Sequence, residues 1–220
     1  MRKYLSAFTL AEVLITLGII GVVAVLTMPS VISNYNKRIY VTSVQKVYNQ
    51  FSDAALKYLA DSRTDSLAET DLTTVDGVKE FLSQYFKVSK FCGSVKDKGY
   101  EECFADSYKT LDQKEKYEPD YHYGYCVILN TGAAVCMDPM RDDYNGYHGY
   151  ADVIFDINGK KAPNVKGRDL FAFEFYSDGK VSEGYNMWTR KNYCVDGVED
   201  SGYAAGCFSK IMNDGWSMDY

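Results

Sequence analysis

Six cysteines, two histidines and a few isolated carboxylates are the side chains of this sequence with chemistry to offer. The cysteines (Cys92, Cys103, Cys126, Cys136, Cys194 and Cys207) all lie beyond residue 90, in three neighbouring couples. No C-x-x-C occurs and the histidines are only His122 and His148, so the set suits disulfides better than zinc. Spacing alone leaves the connectivity of six cysteines open. Asp156, Asn158, Gly159 and Asp169 form an oxygen-rich set that suits calcium, yet no Glu closes it as in an EF-hand loop. A tight Asn-Gly turn with a capping aspartate explains the same letters. Asp138, Asp142 and Asp143 read as easily as a solvated loop. No metal is assigned to either group, and calcium in this region stays open as the only cofactor considered. Phosphate loops, H-E-x-x-H and G-x-S-x-G are absent from the sequence. The expectation is a chain that is not an enzyme, with a carboxylate pair in a cleft as the catalytic alternative.

The net charge is −6 and the basic residues form no long run, so no nucleic-acid partner is expected. The 20 tyrosines crowd into "YEPDYHYGYC" and "YNGYHGY". They read either as half-buried sheet and loop residues or as a surface for neighbouring subunits or glycans.

The elements that position these residues begin with an apolar run, Phe8 to Met28, whose one charged residue is Glu12. As a helix it measures ~31 Å at 1.5 Å per residue, close to a hydrocarbon core of ~30 Å. Arg2 and Lys3 precede it and favour a cytoplasmic N-terminus. The residues near Leu26, Thr27 and Met28 are wrong for secretory cleavage, whereas Ser6-Ala7 is a small-residue junction before the core. Export of the following chain and disulfides in an oxidising compartment support each other. A carboxylate inside such a run asks for a partner, and no Lys or Arg stands three or four residues further on. Cutting between Ala7 and Phe8 would supply one, since the new α-amine lies four residues before Glu12. The alternative is that Glu12 snorkels to the headgroups.

These residues carry a family resemblance. "AFTLAEVLITLGIIGVVAVLTMPSV" resembles the N-terminus of type IV pilins and of the pseudopilins of type II secretion systems. The resemblance implies leader removal between Ala7 and Phe8 by a prepilin peptidase, N-methylation of Phe8, and a subunit-assembly role for Glu12. Gly18, Gly21 and Pro29 fall where the family has glycines and a helix-kinking proline. The family strongly prefers Gly before the cut; Ala7 departs from that and is small enough for processing to be expected. The implied partners are other pilin or pseudopilin subunits, the peptidase and methyltransferase, an inner-membrane assembly platform and membrane lipid. The implied location is the bacterial inner membrane, single-pass, with the head periplasmic or extracellular, and then a filament. A tip adhesin that binds glycan or a surface through the Tyr-rich head is the second functional reading. Gly18, Gly21 and Ala24 recur every three residues, which suits close helix packing, a segment that melts on assembly, or merely a membrane helix.

The expected fold class is α+β: a long N-terminal helix, half of it transmembrane, packed against a small antiparallel sheet head with disulfides. Its divisions are a leader (1–7), a long helix (8–62, transmembrane 8–28) and a globular head (63–220). Past Pro29 apolar residues continue at three- and four-residue steps through Val44, Val47, Phe51, Ala55 and Leu59. "RTDSLAETDLTTVD" reads as a polar linker, and "GVKEFLSQYFKVSKFC" as a short helix with Val78, Phe81, Leu82, Tyr85 and Phe86 at helical spacing. "GYCVILNTGAAVCMD" reads as a hairpin turning on Asn130-Thr131-Gly132, with Cys126 opposite Cys136 and close enough for a bridge. "LFAFEFYSDGKVS" reads as a second hairpin with Phe171, Phe173 and Phe175 on one face, and "ADVIFDI" as a further strand. "DINGKKAPNVKGRDLFAF" resembles a segment common in pseudopilin-like heads.

Overall fold

Helix α1 runs unbroken from Leu10 to Ser62, in a computed structural model that describes residues 9–113, 116–117, 124–141, 149–183, 194 and 206–220. Pro29 lies inside it and the helix continues through that position, losing one backbone donor. The chain divides into two compact units, one ending at Ile39 and the other running from Tyr40 to Tyr220. The boundary therefore falls inside α1, because the later turns of the helix belong to the core of the second unit. There Val41, Val44, Val47, Phe51, Ala54 and Ala55 are buried at helical spacing.

Residues 63–76 are not a loose linker. Two single 3₁₀ turns, Leu67–Glu69 and Asp71–Thr73, bury Leu67 and Leu72 completely. Their backbone is tied to the head: Leu67 N donates to Ser177 O at 2.7 Å and Met140 N to Leu72 O at 2.8 Å. Two leucines among polar residues show neither helical nor strand period, which is why composition alone suggests a linker. Helix α2, Val75–Tyr85, starts at Thr74, whose hydroxyl accepts from Gly77 N at 3.0 Å. It buries Val78, Phe81 and Leu82.

Strand β1 (Val88–Ser94) follows, then α3 (Gly99–Cys103) and a small ladder of β2 (Tyr108–Lys109) with β3 (Lys116–Tyr117). Next come β4 (Tyr125–Leu129), β5 (Ala134–Met137), β6 (Tyr150–Asp156), β7 (Leu170–Tyr176) and β8 (Val181–Ser182), and then α4 (Cys207–Asn213). The main sheet is antiparallel in the order β1-β4-β5-β6-β7-β8. Alternation sorts its side chains. Val127, Leu129, Val135, Val153, Phe155, Phe171, Phe173 and Phe175 join the core that holds the buried face of α1. Phe51 of α1 meets Phe173 edge-on with ring centroids 5.0 Å apart. Cys126, Ala134, Cys136, Ile154 and Ala172 form a second cluster with Phe104 and Tyr108.

The hairpin turns as the sequence suggests: Gly132 has φ +90° and its N–H donates to Leu129 O at 2.9 Å. Cys126 stands opposite Cys136 and is bridged to it. The other couples close likewise, Cys92 to Cys103 and Cys194 to Cys207. The second hairpin turns at Ser177-Asp178-Gly179, with Gly179 at φ +83°.

Candidate functional site

The first candidate region is the N-terminal part of α1, long and apolar enough to cross a membrane. Every large apolar side chain from Leu10 to Met28 is exposed. A carboxylate opens this helix through a capping box that sequence reasoning passed over. Thr9 N and Thr9 Oγ1 both donate to Glu12 Oε2 at 2.8 Å, and Glu12 N donates to Thr9 Oγ1 at 3.3 Å. The T-x-x-E spacing was the available signal. Glu12 has no cationic partner among the described residues. The hydroxyls of Thr16 and Thr27 donate to Val13 O (3.0 Å) and Val23 O (2.9 Å), so neither faces an apolar surround unpaired. A side-chain carbon placed on Gly18 or Gly21 would meet nothing within 4 Å. Ala7 and Phe8 lie outside the described residues, as do Asp142, Asp143, His122, His148 and most of the two Tyr-rich stretches.

The second region is the loop between β6 and β7. Asp156 and Asp169 are both fully buried. Asp156 Oδ2 accepts from Tyr108 OH at 2.7 Å, and Oδ1 from Asn158 N at 2.9 Å. Asp169 accepts from Asn164 N and Val165 N, each at 2.7 Å. Burial pushes the Asp156 carboxyl up to about 8, with the Asp169 charge adding to the rise. Burial likewise raises Asp169, against the backbone N–H groups that favour its charge. Donors from the protein itself reach both oxygens of each carboxylate, the pattern of a self-capped turn. Among the described residues no three His, Cys, Asp or Glu side chains group closely enough to hold a metal ion. Asp138, of the other acidic group, pairs with Arg141 at 3.5 Å, and Arg141 also bonds Asp152 at 2.8 Å.

Glu183 is a structural centre that the sequence did not reveal. Its buried carboxylate accepts from Gly206 N and from Ser209 N (2.7 Å), closing the start of α4. Lys166, also buried, feels the Glu183 charge, but burial holds its amine down at about 8. Tyr220 OH donates to Gly167 O at 2.8 Å, and Trp216 packs on Tyr48 of α1 with ring centroids 5.3 Å apart. A carboxylate whose partners lie 23 and 26 positions away leaves no local signature.

No protein-family model, curated protein or solved structure matches this chain.

Proposed function

We propose that this chain is a pilin-like structural subunit that assembles into a type IV pilus or type II secretion pseudopilus after its leader is removed. It does no catalysis; the peptidase and methyltransferase act on it. The observation that carries this reading is the joining, in one unbroken helix, of an all-round apolar segment opened by Glu12 to turns that form part of a sheet core. A helix of that kind anchors a subunit in lipid and becomes a helix-packing element once lipid is left behind. Thr9 holds the Glu12 carboxylate one residue from Phe8, where cleavage after Ala7 would create an amine. That pairing supports an assembly role, since a buried charge needs a counter-charge when water and lipid are excluded. The location is then the bacterial inner membrane, with the disulfide-bearing head on the oxidising side.

Intact-mass and N-terminal peptide spectrometry tests the reading on protein extracted from membranes of a host that carries a prepilin peptidase. The expected chain starts at Phe8 and is one methyl group heavier than the bare peptide. Recovery of only the Met1 start from such membranes would refute it.

A further inference from the structure

Between Glu12 and Lys37 the chain has no charged residue, and the pattern of exposed apolar side chains changes part-way. From Val13 to Met28 they are exposed all round α1. From Met28 to Ile39 they keep to one side: Met28, Val31, Ile32, Tyr35 and Ile39 fall within an arc of about 100°, taking ~100° per residue. Ser30, Ser33, Asn34, Lys37 and Arg38 occupy the remainder of the circle. All-round apolar surface suits hydrocarbon, whereas a one-sided stripe beside polar groups suits the boundary with water.

A hydrocarbon core of ~30 Å takes about 20 helical residues, and two placements compete for it. Phe8–Met28 encloses Glu12. Val13–Ile32 leaves Glu12 outside and trades Phe8, Thr9, Leu10 and Ala11 for Pro29, Ser30, Val31 and Ile32, a small loss of apolar content beside the cost of the carboxylate, which decides. Both ends fit the second placement. At one end the Thr9–Glu12 capping box meets first-turn backbone donors outside the hydrocarbon. At the other come Tyr35, Lys37 and Arg38, the residue types that settle among headgroups.

We propose that the unassembled chain crosses the bilayer over Val13–Ile32, with Glu12 in one headgroup layer and Tyr35, Lys37 and Arg38 engaging phospholipid headgroups in the other. This rests on the membrane-spanning part of the function proposed above. The test uses the full oxidised chain in phosphatidylethanolamine–phosphatidylglycerol vesicles, with a nitroxide on Leu14→Cys, Gly18→Cys, Val22→Cys or Ser30→Cys. Depth is read from the ratio of oxygen to nickel-chelate accessibility. Val22 should be deepest, with Leu14 and Ser30 at nearly matching depths. The rival placement centres on Gly18, ~7 Å away along the axis at 1.5 Å per residue, and sets Leu14 level with Val22; that result overturns the proposal while leaving a spanning helix. Release of the chain from vesicles by alkaline carbonate overturns spanning itself. Adding Glu12→Leu should slide the deepest point toward Gly18, and an unmoved profile overturns the part given to the acid.

Discussion

Asp156 is an acid kept from water, and its donors, Tyr108 OH and the Asn158 and Gly159 amides, are all neutral. Burial and the neighbouring Asp169 raise it to about 8, from about 3.9 in an unfolded chain. Over that interval the folded state holds a proton that the unfolded chain releases, so the contribution is most favourable below pH ~4 and declines as pH climbs to ~8. The head's thermal midpoint, followed by circular dichroism in detergent, should therefore fall by several degrees between about pH 5 and about pH 8.5, at ~2–4 °C per kcal/mol. Asp156→Asn should flatten that decline. A wild-type midpoint that holds steady or rises would mean the carboxyl is ionised in the fold. The sequence singled out Asp156 and Asp169 together, as an oxygen-rich set with Asn158 and Gly159. It did not reveal Tyr108, a partner 48 positions away, and so left a calcium loop open beside the self-capped turn that forms.

At the scale of elements, α2 carries a conflict between local preference and packing. Gly77 sits in its first turn, where alanine would be favoured by about 1 kcal/mol on helix propensity. A side-chain carbon there would lie 1.8 Å from Asp71 O and 2.3 Å from Asp71 C, both backbone atoms of the preceding 3₁₀ turn. Overpacking of this kind costs about 1–3 kcal/mol, and here the obstacle is main chain that cannot swing away. Gly77→Ala should destabilise the chain, seen as a lower urea midpoint in detergent at unchanged slope; a raised midpoint would show that the turn yields. That turn illustrates which elements sequence can disclose. Both hairpins were legible because a glycine turn and two-residue alternation coincide, as at Gly132 and Gly179. Helix α1 was legible as a continuous run of helical spacing through Pro29. The docking of 63–76 was not, since Leu67 and Leu72 are lone apolar residues whose burial depends on Ser177 and Met140. Strand β1 was hidden by the helical pattern that runs into it from α2, and α4 by needing Glu183 to close its first turn.

For the whole molecule, the proposed assembly turns on Glu12, whose carboxylate is hydrogen-bonded only to Thr9 among the described residues. Glu12→Ala should leave membrane insertion and cleavage after Ala7 intact while sharply reducing filament yield, counted by electron microscopy of sheared preparations. Normal filament numbers would show that no amine–carboxylate pair is needed. The placement of the cross-links has a mechanical consequence. Each bridge joins cysteines 10 to 13 positions apart, all beyond residue 90, so none fastens α1 to the sheet. A pull on residues 10–39 is met first by the interlocked rings and methyl groups around Val44, Val47 and Phe51. Tension reaches a covalent staple only after that greasy seam has given way, which makes the seam the molecule's fuse.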